Sequence, residues 1–178
     1  MSVWFIVGAA ALLSVERLAY AWIWRSPSGF QNLCAQVMAE RFREPIAALR
    51  LLFVSFKAVQ AGVFIGWCYV YGRGSLWPVD ASLGVVAVGL GVAIVGQILN
   101  FGVFYRLGEA GVFYGNRFGH DVPWCSEFPF SLCDDPQYVG AVLSIWGFFL
   151  VMRFPHADWF MLPALETVYY VLGARLER

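Results

Sequence analysis

The chain has 178 residues, 60% of them hydrophobic and 13% charged, with 12 basic side chains balancing 12 acidic ones and a mean hydropathy of +0.66. A soluble domain is nearer half apolar and a quarter charged, so lipid must cover much of this chain's surface. Zero net charge excludes a general electrostatic preference for nucleic acid.

The length fits a single polytopic domain over 1–178, with a first half, 1–80, of hydropathic character alone. Met1 to Trp4 carries no basic run, so a cleaved signal peptide is not expected. The first apolar segment covers Val3 to Trp24 and contains Glu16 and Arg17. Charges in hydrocarbon are costly, so this pair either sits near the membrane edge or faces the protein interior. Arg25-Ser-Pro-Ser-Gly29 predicts a helix break. Phe30, Leu33, Val37 and Phe42 then recur at helical spacing among polar residues, which predicts an amphipathic helix along the interface.

Pro45 opens a second apolar run to about Tyr71, interrupted by Arg50 and by Lys57, the chain's one lysine. Ala81 to about Tyr105 is the cleanest span. Two shorter apolar segments, Tyr138 to Met152 and Trp159 to Gly173, predict a C-terminal helical hairpin. The expectation is an all-α integral membrane protein with three spans plus that hairpin, four to five membrane segments in all. Basic residues concentrate in the first loop, the third loop and the C-terminus, which therefore share the cytosolic side.

The stretch from Leu107 to Gly140 is the functional candidate. It is a polar island with four glycines before His120, several carboxylates and a run of aromatics. Clustered glycines let backbone approach a ligand closely. Cys34, Cys68, Cys125 and Cys133 form no C-x-x-C pair and only His120 and His156 accompany them, so no metal site is expected and the thiols read as reduced.

Four motifs carry a resemblance: Gly96-Gln-Ile-Leu-Asn-Phe101, Leu107-Gly-Glu-Ala-Gly-Val-Phe-Tyr-Gly-Asn-Arg-Phe-Gly119, Glu127-Phe-Pro-Phe130 and Asp135-Pro-Gln-Tyr-Val-Gly140. Together they resemble the phosphatidylethanolamine-type phospholipid N-methyltransferase family, in wording nearest its plant-type members. The motif region is 89–178. The resemblance implies an enzyme of the endoplasmic reticulum that uses S-adenosylmethionine to methylate a head-group amine, with mono- and dimethylated phosphatidylethanolamine as substrates and phosphatidylcholine as product. It implies cofactor binding by a G-x-G in the third span and by C-terminal acids. Here the first reads Ile94-Val-Gly96, with Gly89-Leu-Gly91 out of register, and the second keeps one acid, Glu177. Gly108, Gly111, Tyr138 and Gly140 complete the expected cofactor set.

The lipid amine must lose a proton before it can attack a methyl group. Glu109, His120, Asp134 and Asp135 are candidates, although Asn also serves at the Asp135 position, which favours turn formation there. Tyr138, Trp124, Phe128 and Phe130 are expected to face the methylated cation. Arg106 and Arg117 are expected at the lipid phosphate. Two other readings stand beside this one: a prenylcysteine carboxyl methyltransferase, for which Asp134-Asp-Pro-Gln-Tyr138 has the wrong wording, and a non-catalytic membrane protein of the same fold. Oligomeric state leaves no signal in the sequence.

Overall fold

A computed structural model describes residues 3–37, 40–78, 81–123 and 125–177; of Arg41 only the backbone is described. The described residues are helices and connecting loops: α1 (Val3–Arg25), α2 (Pro27–Val37), α3 (Pro45–Tyr71), α4 (Leu83–Val112), α5 (Pro136–Arg153) and α6 (Met161–Leu176), with short 3₁₀ turns at Glu40–Phe42 and Gly115–Phe118. Three helices, α1, α3 and α4 with its continuation, are long and apolar enough to cross a membrane. Their outward faces remain apolar: Leu18 is 66% exposed and Phe101 71%. α5 and α6, of 18 and 16 residues, pack on each other but are not among the helices long and apolar enough to span, so the membrane segments expected of a C-terminal hairpin are not confirmed.

Two boundaries differ from the sequence reading. The Arg25–Gly29 break shrinks to one residue, Ser26, because Pro27 sits in the first turn of α2, where a proline's missing N–H costs nothing. The polar island also begins inside a helix. α4 runs to Val112 through a kink at Gly108 (φ 64°, ψ −172°), a conformation open to glycine and poor for other residues.

The tightest seam is between α4 and α5. Gly89 and Gly96 lie two turns apart on α4, and Gly147 and Gly140 two turns apart on α5, so the pairs meet in antiparallel order. A β-carbon at Gly96 would lie 2.5 Å from the Gly140 carbonyl oxygen, and one at Gly147 2.5 Å from that of Gly89. Small residues that let backbones touch are the usual adhesive where lipid removes the hydrophobic drive for helix association. Gln97 donates to Ser144 across the seam at 2.8 Å.

Long-range contacts fix which helix ends share a side. Arg117 donates to the carbonyl of Trp24 at 2.7 Å and lies over its ring, tying the motif loop to the end of α1. His120 reaches Glu44, the N-cap of α3. Tyr138, near the start of α5, donates to Glu177, just past α6. At the opposite end, Phe5 packs on Tyr71. The end of α1, the start of α3, the motif loop and the C-terminus therefore lie together.

Candidate functional site

Two cavities adjoin on that shared side. The larger, about 320 Å³, lies among α1, α3, α4, α5 and α6. The smaller, about 140 Å³, lies between the motif loop, the start of α5 and Glu177. Gln137 and Tyr138 line both.

Membrane spans supply the polar floor of the larger cavity. Glu16 and Arg17 are buried on α1, 3.2 Å apart. Lys57 of α3 reaches Glu16 at 3.1 Å, donates to the hydroxyl of Tyr170 at 3.0 Å and donates to Gln60 at 3.2 Å. Gln60 in turn donates to Glu166 at 2.6 Å. The Arg17 guanidinium stacks 3.8 Å above the Tyr170 ring. Such a network persists in an apolar span when its charges are paired and face a cavity. Aromatic faces form much of the remaining wall, with Tyr20, Phe104, Phe113, Tyr114 and Tyr138 all lining it. Among the described residues the buried Tyr20 hydroxyl and Arg17 Nε have no hydrogen-bond partner.

The smaller cavity is acidic. Asp134, Asp135 and Glu177 line it with Phe130 and Leu107. Asp135 precedes α5, and its carbonyl accepts from the Tyr138 and Val139 N–H groups. Pro136 occupies the first helical turn, where it suits the helix. Burial raises the Glu177 carboxyl above the usual carboxylate range, while hydrogen bonds from Tyr138 and Tyr114 oppose that rise.

A family model described as phospholipid methyltransferase matches residues 85–178, more than half of the sequence. The chain belongs to the phospholipid methyltransferase family. Its similarity to phosphatidyl-N-methylethanolamine N-methyltransferase of Arabidopsis thaliana is 35% identity over 128 residues, covering 71% of this chain and 67% of that protein. Phosphatidylethanolamine N-methyltransferase of Homo sapiens is 31% identical over 101 residues, covering 56% of this chain and 47% of the relative. That of Rattus norvegicus is 34% identical over 91 residues, covering 49% and 45%. No solved structure matches. Membership makes the chain a multi-pass membrane protein of a methyl-transferring family, for which a methyl donor and a membrane lipid are implied.

Against this family background, the motif residues divide into three groups. Tyr138, Glu177, Asp135 and Phe130 gather around the smaller cavity. Gly96 and Gly140 face each other in the α4–α5 seam, so packing accounts for their being glycine; Gly108 forms the kink, and Gly111 sits close against Leu107 and Val122. Glu109, His120, Arg106 and Arg117 lie outside both cavities: Glu109 pairs with Arg50 at 2.8 Å, His120 faces Glu44 at 3.6 Å, and Arg106 pairs with Glu127 and donates to the Phe128 carbonyl. Phe128 is 42% exposed and packs on Gly102. Trp124 lies outside the described residues. Among the described residues no cluster of His, Cys, Asp and Glu has the makings of a metal site.

Sequence reasoning left Arg17, Lys57, Gln60, Gln97 and Asn100 without a role. Their signal was polarity itself, since a polar side chain within a span faces other protein or water far more often than lipid.

Proposed function

We propose that this protein transfers methyl groups from S-adenosylmethionine to the amine of phosphatidylethanolamine derivatives already carrying one or two methyl groups, yielding phosphatidylcholine. The observation that carries the reading is the shared wall at Tyr138, where a membrane-level aromatic cavity adjoins an acidic cavity at the loop side. The similarity to the Arabidopsis thaliana enzyme favours the partly methylated lipids as substrates. We place the motif loop and C-terminus in the cytosol from the arginine distribution, and the protein in the endoplasmic reticulum from what the resemblance of its motifs implies.

The residues present suit the donor. Glu177 is a half-buried carboxylate on a cavity wall, able to accept hydrogen bonds from ribose or amino groups, and the unpartnered Tyr20 hydroxyl offers a further polar contact. S-adenosylmethionine supplies an electrophilic methyl on a sulfonium. No covalent enzyme intermediate is needed, so alignment of the two reactants supplies much of the acceleration.

Tyr138, held by Glu177, presents its ring where the amine would sit, and Tyr20 and Tyr114 extend that surface around it. Aromatic faces attract methylated ammonium groups through the ring quadrupole, by about 0.5–2 kcal/mol each. The amine must shed a proton before transfer. Of Glu109, His120, Asp134 and Asp135, the two aspartates line a cavity, and we assign the proton to Asp135, which stands next to α5 and Tyr138. Glu109, His120 and Arg117 hold the loop in place through the contacts above.

Equilibrium binding of S-adenosylmethionine to the purified protein tests this reading. The wild type should bind saturably, and Glu177→Gln should weaken binding about tenfold, as expected when a charged hydrogen-bond acceptor is lost. Absence of binding by folded protein would contradict it and leave a non-catalytic member of the family.

A further inference from the structure

We propose that Arg17 and Lys57 form the site for the phosphodiester of the lipid substrate, which reaches them sideways through the gap between α3 and α4; the inference rests on the function proposed above. Both cations lie on helices outside the 85–178 family match, so this half of the chain would supply lipid recognition while the matched half supplies donor binding.

The charges on the cavity wall do not balance. Arg17 and Lys57 face a single lining carboxylate, Glu16, because Glu166 stands behind Gln60 and off the wall. The buried Arg17 Nε has no partner among the described residues, and the Lys57 side chain, which lines the cavity, remains 31% exposed. A surplus buried cation is costly unless an anion joins it, and guanidinium and ammonium groups are the usual ligands of phosphate. Glu16 then acts as the counter-ion while the site is empty.

Geometry selects a lipid over a soluble anion. Arg17 lies eight residues before the end of α1 and Lys57 twelve after the start of α3, roughly 12 Å and 18 Å along those helices at 1.5 Å per residue. Tyr138 packs its ring 5.7 Å from that of Tyr170, which lies under Arg17 at 3.8 Å and accepts from Lys57, so one aromatic ring separates the wall that faces the amine from the two cations. Phospholipid chemistry has the same adjacency, the phosphate and the amine of the head group being separated by two carbons. The helices leave room for such a ligand to enter from the side. α3 packs on α1 and α2 but scarcely on α4, and Phe53, Phe101 and Phe104 border that gap. Phe101 itself turns outward, toward lipid.

The test compares two acceptors in detergent micelles with the full-length protein. One is N,N-dimethyl phosphatidylethanolamine. The other is a diacylglycerol carrying the same dimethylaminoethyl group through an uncharged carbamate. Lys57→Gln keeps the Glu16–Arg17 pair and a polar side chain, and Lys57→Arg restores the charge. For the phospholipid, Lys57→Gln should raise KM about tenfold or more and Lys57→Arg should largely restore it; for the carbamate lipid and for donor affinity, neither variant should produce a change. Equal loss on both lipids would overturn the inference, because the phosphate would then play no part. A weakened donor with phospholipid KM unchanged would overturn it too, assigning the cations to the donor's carboxylate. A wild type that binds donor and methylates neither lipid would instead defeat the reading of function on which the inference rests.

Discussion

Glu177 carries a carboxylate on the wall of the smaller cavity, beside Tyr138. Burial raises its pKa, so the group stays protonated to a higher pH than an ordinary carboxyl and accepts hydrogen bonds fully only above that raised value. Donor affinity should therefore increase as pH rises from the ordinary carboxylate range through the raised one. Glu177→Gln should flatten that increase, which titrations at several pH values would show. Tyr138→Phe removes the hydroxyl that donates to Glu177 and should weaken donor binding several-fold while leaving the α5–α6 hairpin intact. Gly108 matters for its backbone. Its φ of 64° with an extended ψ suits no residue with a β-carbon, so Gly108→Ala should cost about 1–3 kcal/mol and lower the thermal unfolding midpoint, although nothing lies within 4 Å of the added carbon.

Between α4 and α5, glycine spacing decides how the elements meet. Gly96→Leu would drive a side chain into the Gly140 carbonyl and Ser144, separating the helices that carry Gln137 and Tyr138. Loss of monodisperse protein in size-exclusion chromatography is the expected outcome. Gly91→Leu, two residues from Gly89 on the lipid-facing side with nothing within 4 Å, should purify like the wild type. This contrast marks a limit of sequence reading. The Gly89-Leu-Gly91 triplet drew attention as a displaced cofactor motif, whereas the structural signal is the seven-residue spacing of Gly89 to Gly96 and of Gly140 to Gly147. Period alone identifies a shared face but not what covers it. The same limit applied to Glu16 and Arg17, which left the sequence poised between membrane edge and interior. Only the approach of α3 and α6 settles them inside, through Lys57 and Tyr170. The three spans were legible because hydropathy specifies them directly, and the turn at Asp135 before Pro136 because a local motif does. The floor of the larger cavity was not, since its members come from distant parts of the chain.

At the scale of the whole molecule, the helix ends that carry the motif loop and the C-terminus face one side of the membrane. Loop residue Asp121 and turn residue Ser75 should lie on opposite sides. In a variant with Cys125 and Cys133 replaced by Ser, Asp121→Cys should react with a membrane-impermeant maleimide from the cytosolic face of sealed vesicles, and Ser75→Cys only after permeabilisation. Labelling of both from one face would require a different arrangement of spans. Under the proposed function, the family match and the two adjoining cavities converge on a division of labour, with lipid held within the membrane-level cavity and donor at its loop-side mouth.

Methyl transfer by the purified protein tests that convergence most directly. Labelled S-adenosylmethionine would be offered with phosphatidylethanolamine and its mono- and dimethyl forms in parallel. Label is predicted to accumulate in phosphatidylcholine, with the partly methylated lipids turned over faster than the unmethylated one. Folded, donor-binding protein that leaves all three lipids unlabelled would contradict the account.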